Sequence, residues 1–493
     1  MSVGIPISDV KKNLATKLQA ELVVQESNHI LKLYIIDRAS ERVWIPYYYG
    51  KTLCVTDEPF EKSYGTTDIS SIHANTKNVQ DINFDIYFQL MRDQPEVIKE
   101  CLDYLYRDGC LIFKGCTGFG KSIAIMYTAY SLKKLTIVYV TRDLFCKQLK
   151  QDFCKMTNAV VWAPDGKTKT PPNNVQVIIV MPGRFHYIPL DLVKKVGVLI
   201  VDEVHTVCTP QNVLPLLSIH PQYVMGCSAT PTRRGVLHTM LKTMFGPNRV
   251  IRSLDVPLRV IKWNTGIRIP YFPGGRGADW TAHAEYVCTC DERHMAIAEV
   301  VAKIIGMNKE ESESSDISEL FARFSPPKRK EKETDERYEE RKKALKPPYK
   351  IIGLTGNVKD HIPSLKEVFK EKGISCDHMD GKKPFYDECD ILLGHPSKVG
   401  VGFDQKATCR NFSGIRINVV FQFLSCKSVE LAEQEVGRGC RADVCFLICM
   451  VDNNQISRNH WNKGMLPFLE TLDDIEILEY PDLEKKKRER KNK

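Results

Sequence analysis

The feature that most constrains the fold is a short run in the first third of the chain. "CLIFKG" (residues 110–115) is apolar and suits a buried strand, and "KSIAIMYTAYSLKK" (121–134) has helix-forming composition with amphipathic spacing. Between and overlapping them lies "GCTGFGKS", Gly115 to Ser122, which reads G-x-x-x-x-G-K-S. The glycines therefore occupy a strand-to-helix turn, where backbone N–H groups and a helix N-terminus converge on an anion. Gly115, Gly118 and Gly120 let the backbone turn tightly around Cys116, Thr117 and Phe119. In this pattern Lys121 reaches the β- and γ-phosphates of a nucleotide, and Ser122 holds magnesium. The bland alternative is a glycine-rich turn that binds nothing, so the reading depends on partners elsewhere.

Composition sets the outer limits. A chain of 493 residues with 43% hydrophobic content can bury sizeable cores, and its length suggests about two to four domains. No apolar run approaches the roughly 20 residues needed to span a bilayer, and "MSVGIPISDVKKN" lacks the layout of a signal peptide. Seventeen cysteines without regular spacing suggest reduced thiols, hence an intracellular protein with no membrane partner. The net charge of +9 is unevenly placed: the tail "KKKRERKNK" carries seven basic residues and one acid. The body is then nearly neutral, and bulk charge supports a polyanionic partner only weakly.

Partners of the loop follow downstream. "VGVLIVDEVH" (196–205) begins as a central parallel strand and ends in Asp202 and Glu203. Asp202 is placed to bind magnesium, and Glu203 to take a proton from the water attacking the γ-phosphate. "VMGCSATPTRR" (224–234) is another apolar run, ending in Ser228, Ala229 and Thr230, small hydroxyl-bearing residues suited to couple a hydrolytic site to a neighbouring surface.

With these pieces the chain resembles the superfamily 2 helicases, of the DExH type with "DEVH". "FQLMRDQPEVIKECLDYL" resembles the segment that packs near adenine: Arg92 and Gln94 match, and Asp93 replaces the usual aromatic residue. "VYVTRDLFCKQLK" resembles a segment that lies along a nucleic-acid backbone, through Thr141, Arg142 and Gln148; "VIIVMPGRFHY" resembles another, keeping Gly183 and Arg184 while Met181 replaces a threonine. "CDILLGHPSKVGVGFDQ" supplies Gly400, Gly402 and Asp404, with His395 at the family's threonine. "ELAEQEVGRGCRAD" supplies Gln434, Gly437, Arg438 and Arg441. In the family such arginines reach, from the second motor domain, the γ-phosphate held by the first.

The resemblance covers roughly residues 85 to 455, with seven motifs in family order. Its style and layout are most similar to the transcription-associated helicases of large nucleocytoplasmic DNA viruses, such as the poxvirus transcript-release helicase and its African swine fever virus counterpart. It implies an α/β fold: two tandem RecA-like parallel-sheet motor domains at 85–255 and 256–465, with ATP in the cleft and Gly115–Ser122 facing Arg438 and Arg441. It implies ATP and Mg2+ as cofactors and nucleic acid as partner, DNA favoured over RNA. It further implies a role in viral transcription beside the transcription machinery, in host cytoplasm or virion. An RNA helicase, a catalytically weak helicase-like scaffold and a phosphate-loop kinase are the competing readings. The last leaves the second motor domain without a purpose.

Outside the resemblance, residues 1–84 read as a small α+β accessory domain: a helix in "ISDVKKNLATKLQAEL", then a hairpin from "HILKLYIID" and "VWIPYYYG" across "RASER". Trp44, Tyr47, Tyr48 and Tyr49 suit base stacking or packing, and packing is the favoured expectation. The charged stretch 308–347 reads as a solvated helix or disordered insertion. His283, Cys288, Cys290 and His294 lack the paired spacing of structural zinc sites. Residues 466–493 read as a basic tail.

Overall fold

The computed structural model describes residues 1–10, 12–26, 29–54, 78–91, 93–115, 119–207, 210–228, 236–252, 256–274, 277–309, 314–330, 333–380, 383–396, 405–425, 429–437 and 442–481. The chain divides into two compact units, Met1–Arg252 and Ser253–Lys493.

The first unit is built on a seven-stranded parallel sheet, in the spatial order Arg249–Arg252, Cys110–Gly115, Tyr223–Ser228, Val198–Asp202, Thr136–Tyr139, Val177–Val180, Val161–Trp162. Its central strands are continuous apolar runs because helices cover both faces: all five residues of Val198–Asp202 are buried. Asp202 at the end of that strand pairs in register with Cys227, and Ser228 pairs with Lys114. The chemistry-bearing residues thus leave neighbouring strands at one edge of the sheet, where ligands bind in open α/β folds.

The described residues of 1–84 belong to the same compact unit as the first sheet, and their buried apolar side chains merge into its core. The helix Lys12–Leu22 turns Leu14, Leu18 and Leu22 inward at spacings of four. Ile35–Asp37 and Arg42–Pro46 form the expected hairpin, with Ser2–Pro6 as a third antiparallel strand. His29–Lys32 departs from expectation and pairs with Val23–Glu26 instead. The aromatic string packs. Trp44 stacks on His220 with ring centroids 3.4 Å apart, Tyr47 and Tyr49 are buried, and Tyr47 donates to the Gln222 carbonyl.

The second unit repeats the plan: seven parallel strands in the order Cys376–Met379, Ile391–Gly394, Ile351–Leu354, Val419–Gln422, Cys445–Val451, Leu258–Asn264, Ile475–Tyr480. Two expectations are corrected here. The stretch read as tail supplies the last strand, Ile475–Tyr480, so the second domain runs past residue 465; the basic run itself lies outside the described residues. The charged insertion also folds onto the domain. Ser315 caps the helix Asp316–Ala322, whose Ile317, Leu320 and Phe321 are buried, and Phe321 stacks on Phe446 at 4.8 Å. The helix Asp335–Lys343 follows, with Arg341 buried against Glu333 at 2.8 Å and Arg337 paired with Asp443. The stretch folds because Ile317, Leu320 and Phe321 share one side of a helix, Phe324 packs beside them against Phe446, and several of its charges are paired within it or with the domain.

Candidate nucleotide-binding site

The strand Cys110–Gly115 delivers the chain into the glycine turn, and the helix Lys121–Leu132 leaves it. Gly115 is required by crowding: a Cβ there would come within 2.7 Å of the Phe113 ring and 3.2 Å of the Lys121 side chain. Gly120 sits at φ +94°, a conformation open to glycine, and a Cβ would meet Gln94 Nε2 at 2.8 Å. Gln94 opens the helix Gln94–Asp108 and braces the turn. Its Nε2 donates to the Phe119 carbonyl at 2.8 Å, and its Oε1 accepts from the Met91 N–H at 2.9 Å. Phe119 packs edge-on against Phe113, centroids 5.3 Å apart.

Lys121 begins its helix and its Nζ lies 3.1 Å from Glu203 Oε1, both side chains largely buried. Burial works to lower the lysine pKa, but the Glu203 and Asp202 carboxylates outweigh it and hold it above the ordinary value. Asp202 is 2% exposed, and burial, reinforced by Glu203 and opposed by Lys121, pushes its carboxyl up to about 7. Among the described residues no donor reaches Asp202 Oδ1. Glu203 adopts φ +49°, a left-handed conformation rare outside glycine, as the strand turns into Val204–Val207. Such a residue costs about 1–3 kcal/mol and persists only where its surroundings hold it. Here the buried Val204 and the Lys121 ion pair do so.

This cluster sets one cation against two carboxyl groups in a buried place, with an Asp202 oxygen open to a further partner. The oxygen donor set of Ser122 and Asp202 suits magnesium, which prefers carboxylate and hydroxyl ligands. The residues present therefore fit a magnesium–nucleotide ligand.

A second group lies at the same edge of the first sheet. Thr141 and Arg142 follow the strand Thr136–Tyr139, and Asp143 opens the helix Asp143–Met156. Arg184, in the turn Pro182–Tyr187, pairs with Asp143 at 2.8 Å, and Lys147 does so at 2.6 Å. Lys147 first and Arg184 second hold the Asp143 carboxyl below its usual range. Two segments singled out separately in the sequence are thus tied together. Met181, where the family has threonine, packs against the core, and a Cβ on Gly183 would meet open space.

In the second unit His395 follows the strand Ile391–Gly394, and Gln434 lies on the helix Val429–Val436. Gln422 Nε2 donates to Glu435 Oε2 at 2.5 Å, a buried tie from strand end to helix that sequence reading did not single out. Arg92, Cys116, Thr117, Gly118, Ala229, Thr230, Gly400, Gly402, Asp404, Arg438, Arg441 and the Gln434 side chain lie outside the described residues. Among the described residues no group of three or more His, Cys, Asp or Glu side chains could hold a metal ion. His294 uses Nε2 on the Cys288 carbonyl, 3.1 Å away.

Residues 91–238, which contain this site, match the family model described as DEAD/DEAH box helicase. The match supports a helicase of superfamily 2. The putative helicase 161L of Invertebrate iridescent virus 6 is 23% identical over 477 residues, covering 94% of this chain and 97% of that one. The putative helicase 109L of Invertebrate iridescent virus 3 is 27% identical over 236 residues, covering 45% of this chain and 67% of that one. Among solved structures, the ATP-dependent Type ISP restriction-modification enzyme LlaBIII bound to DNA is similar in fold, with a TM-score of 0.50 at 11% identity, covering 81% of this chain and 32% of that one. The family match and the viral relatives support an ATP-dependent helicase, and the solved structure supports the fold.

Proposed function

We propose that the chain is a DExH-type helicase or translocase that hydrolyses ATP while moving on nucleic acid, DNA in preference to RNA, during viral transcription. The observation that carries the ATPase reading is the buried Lys121–Glu203–Asp202 cluster beside the glycine turn. Lys121 would exchange Glu203 for the β- and γ-phosphates, and Ser122 and Asp202 would hold magnesium, which would supply charge neutralisation there. Glu203, freed, accepts the proton of the attacking water. Gln94 and Arg92 border the base. Gln434, Arg438 and Arg441 act on the γ-phosphate from the second domain, with Gly402 and Asp404 beside the nucleotide. Thr141, Arg142, Gly183, Arg184 and His395 lie along the strand, and Ser228, Ala229 and Thr230 couple strand to nucleotide. The preference for DNA and the place in transcription rest on the resemblance to the viral transcription-associated helicases.

The test is ATP turnover with matched single-stranded DNA, duplex DNA and RNA. DNA should stimulate turnover more than RNA. Stronger stimulation by RNA would reverse the strand assignment. Turnover indifferent to every strand would favour the scaffold or kinase reading.

A further inference from the structure

The second unit carries an exposed aromatic surface that the nucleotide chemistry does not use. After the strand Leu258–Asn264 the chain passes through Tyr271, closes a small hairpin (Pro273–Gly274 with Gly277–Ala278), and enters the helix Trp280–Thr289. Tyr271 is 64% exposed, Trp280 41% and Tyr286 37%. Three exposed aromatic groups on one short segment make it a candidate contact surface.

The surface is firmly built. Ile267, Ile269, Val287 and Cys288 form a small core beneath it, with Phe272 packed against them. Phe272 meets Tyr286 at 5.6 Å, and Trp280 meets His460 at 4.8 Å and His283 at 5.4 Å. The Asp279 N–H donates to the Phe272 carbonyl at 2.8 Å, and its carboxylate caps the helix through the Thr281 and Ala282 N–H groups. Thr265 donates to Asp452 at 2.8 Å, which fixes the start of the segment at the C-terminal edge of the sheet. His395 follows its own strand at this edge too.

Charge selects the partner. The run from Gln455 to Leu469, which brings His460 against Trp280, contains Arg458, His460 and Lys463 and no acid. Arg268 is exposed on the aromatic segment itself. Among the acids around it, Asp279 is engaged in the helix cap, Asp452 is buried against Arg293 and Thr265, Glu285 is the only acid on the helix, and Asp291 and Glu292 follow it. Exposed rings on a segment flanked in the chain by Arg268 and met by the basic run around His460 suit single-stranded nucleic acid, whose bases stack on aromatic faces while its phosphates meet basic groups.

We infer that the Tyr271–Tyr286 segment is a base-stacking platform for single-stranded nucleic acid, with Trp280 as its principal ring. The inference rests on the strand binding proposed above and adds a contact to bases, where the segments of the first unit address the backbone.

Tryptophan emission gives a direct test. The chain has five tryptophans; Trp44, Trp162, Trp263 and Trp461 are at most 7% exposed, so Trp280 is the one open to a stacking base. The full chain is titrated with oligothymidylate and with an abasic strand of equal length. Oligothymidylate should quench emission and bind roughly tenfold more tightly than the abasic strand, the order expected for loss of base stacking. Trp280→Ala should lose the quenching and roughly that tenfold preference, Tyr271→Ala part of the preference, and Trp280→Phe should restore affinity. Equal binding of the two strands by wild type, with unchanged emission, overturns the platform and leaves strand binding standing. Quenching that persists in Trp280→Ala overturns it as well. Binding of neither strand overturns the platform together with the reading beneath it.

Discussion

Each unit buries a cluster of charges, and the two clusters are balanced differently. In the first, Lys121 faces both Glu203 and Asp202, one cation against two carboxylates. The deficit appears as an Asp202 carboxyl pushed up to about 7, primarily by burial. In the second, Arg293 pairs with Asp452 at 3.0 Å, one charge against one. Arg293 also donates to the Phe423 carbonyl, and Asp452 accepts from Thr265. The second cluster ties strand ends to a helix and needs nothing more to balance its charge. The first asks for another cation. A buried charge imbalance at a strand edge marks a ligand site, and a matched pair marks architecture.

The largest expected effect separates the two by activity. Lys121→Ala should largely remove ATP binding or turnover, and Glu203→Gln should keep nucleotide but slow hydrolysis by about 10²–10⁴-fold through loss of the proton acceptor. Glu203→Gln, which keeps the shape of the side chain and leaves Lys121 facing Asp202, should unfold in urea near wild type, whereas Lys121→Ala strands two buried carboxylates and should lose stability as well. Near-wild-type turnover in both variants would break the functional half of the comparison.

Arg293→Ala should do the reverse in kind. It leaves Asp452 buried without its cation, at a cost of about 3–5 kcal/mol, read as loss of hydrogen-exchange protection across Cys445–Val451 in the intact chain. A loss confined to ATP turnover would mean that this pair, too, is functional.

A smaller contrast concerns pH. Burial, aided by Arg293, holds His361 well below its ordinary pKa and lowers His294 and His283 as well. They are neutral in the fold, whereas the unfolded chain takes up protons below about pH 6.5. The stability they contribute is therefore complete above that value and lost as pH falls below it. Among the described residues the first unit has one such residue, His220, lowered to about 3 mainly by burial. Between about pH 7 and 5, exchange protection should fall more in Cys445–Val451 than in Val198–Asp202. Equal loss would remove the distinction.

The smallest effect on stability is expected at Arg184. Its pair with Asp143 is partly exposed and contributes roughly 0–1 kcal/mol. Arg184→Ala should barely move unfolding yet reduce nucleic-acid stimulation of turnover more than basal turnover, read as rate against strand concentration at two salt levels. Unchanged stimulation would confine the residue to holding two segments together.

Much of the first unit was legible because its signals are local. Apolar runs buried on both faces announce parallel strands, and glycines at Gly115 and Gly120 announce a turn that no side chain permits. The first sheet, the Asp202–Glu203 strand end and the helix after Lys121 follow from short stretches read in order. The insertion was misread for the opposite reason. Its mean charge outweighs Ile317, Leu320 and Phe321, and only the helix and the facing Phe446 ring reveal that these residues share a buried side. Ile475–Tyr480 was missed because a six-residue edge strand carries little apolar signal until Leu258–Asn264 lies beside it.

The sequence by itself determined which residue types are present in the phosphate-loop and strand-end patterns, and their order along the chain, because those depend on spacing within one strand, turn or helix. Tertiary structure decided which charges meet. Lys121 reaches Glu203 across 82 positions, and Arg293 reaches Asp452 across 159. Pairing over such distances depends on strand order, which no short stretch encodes.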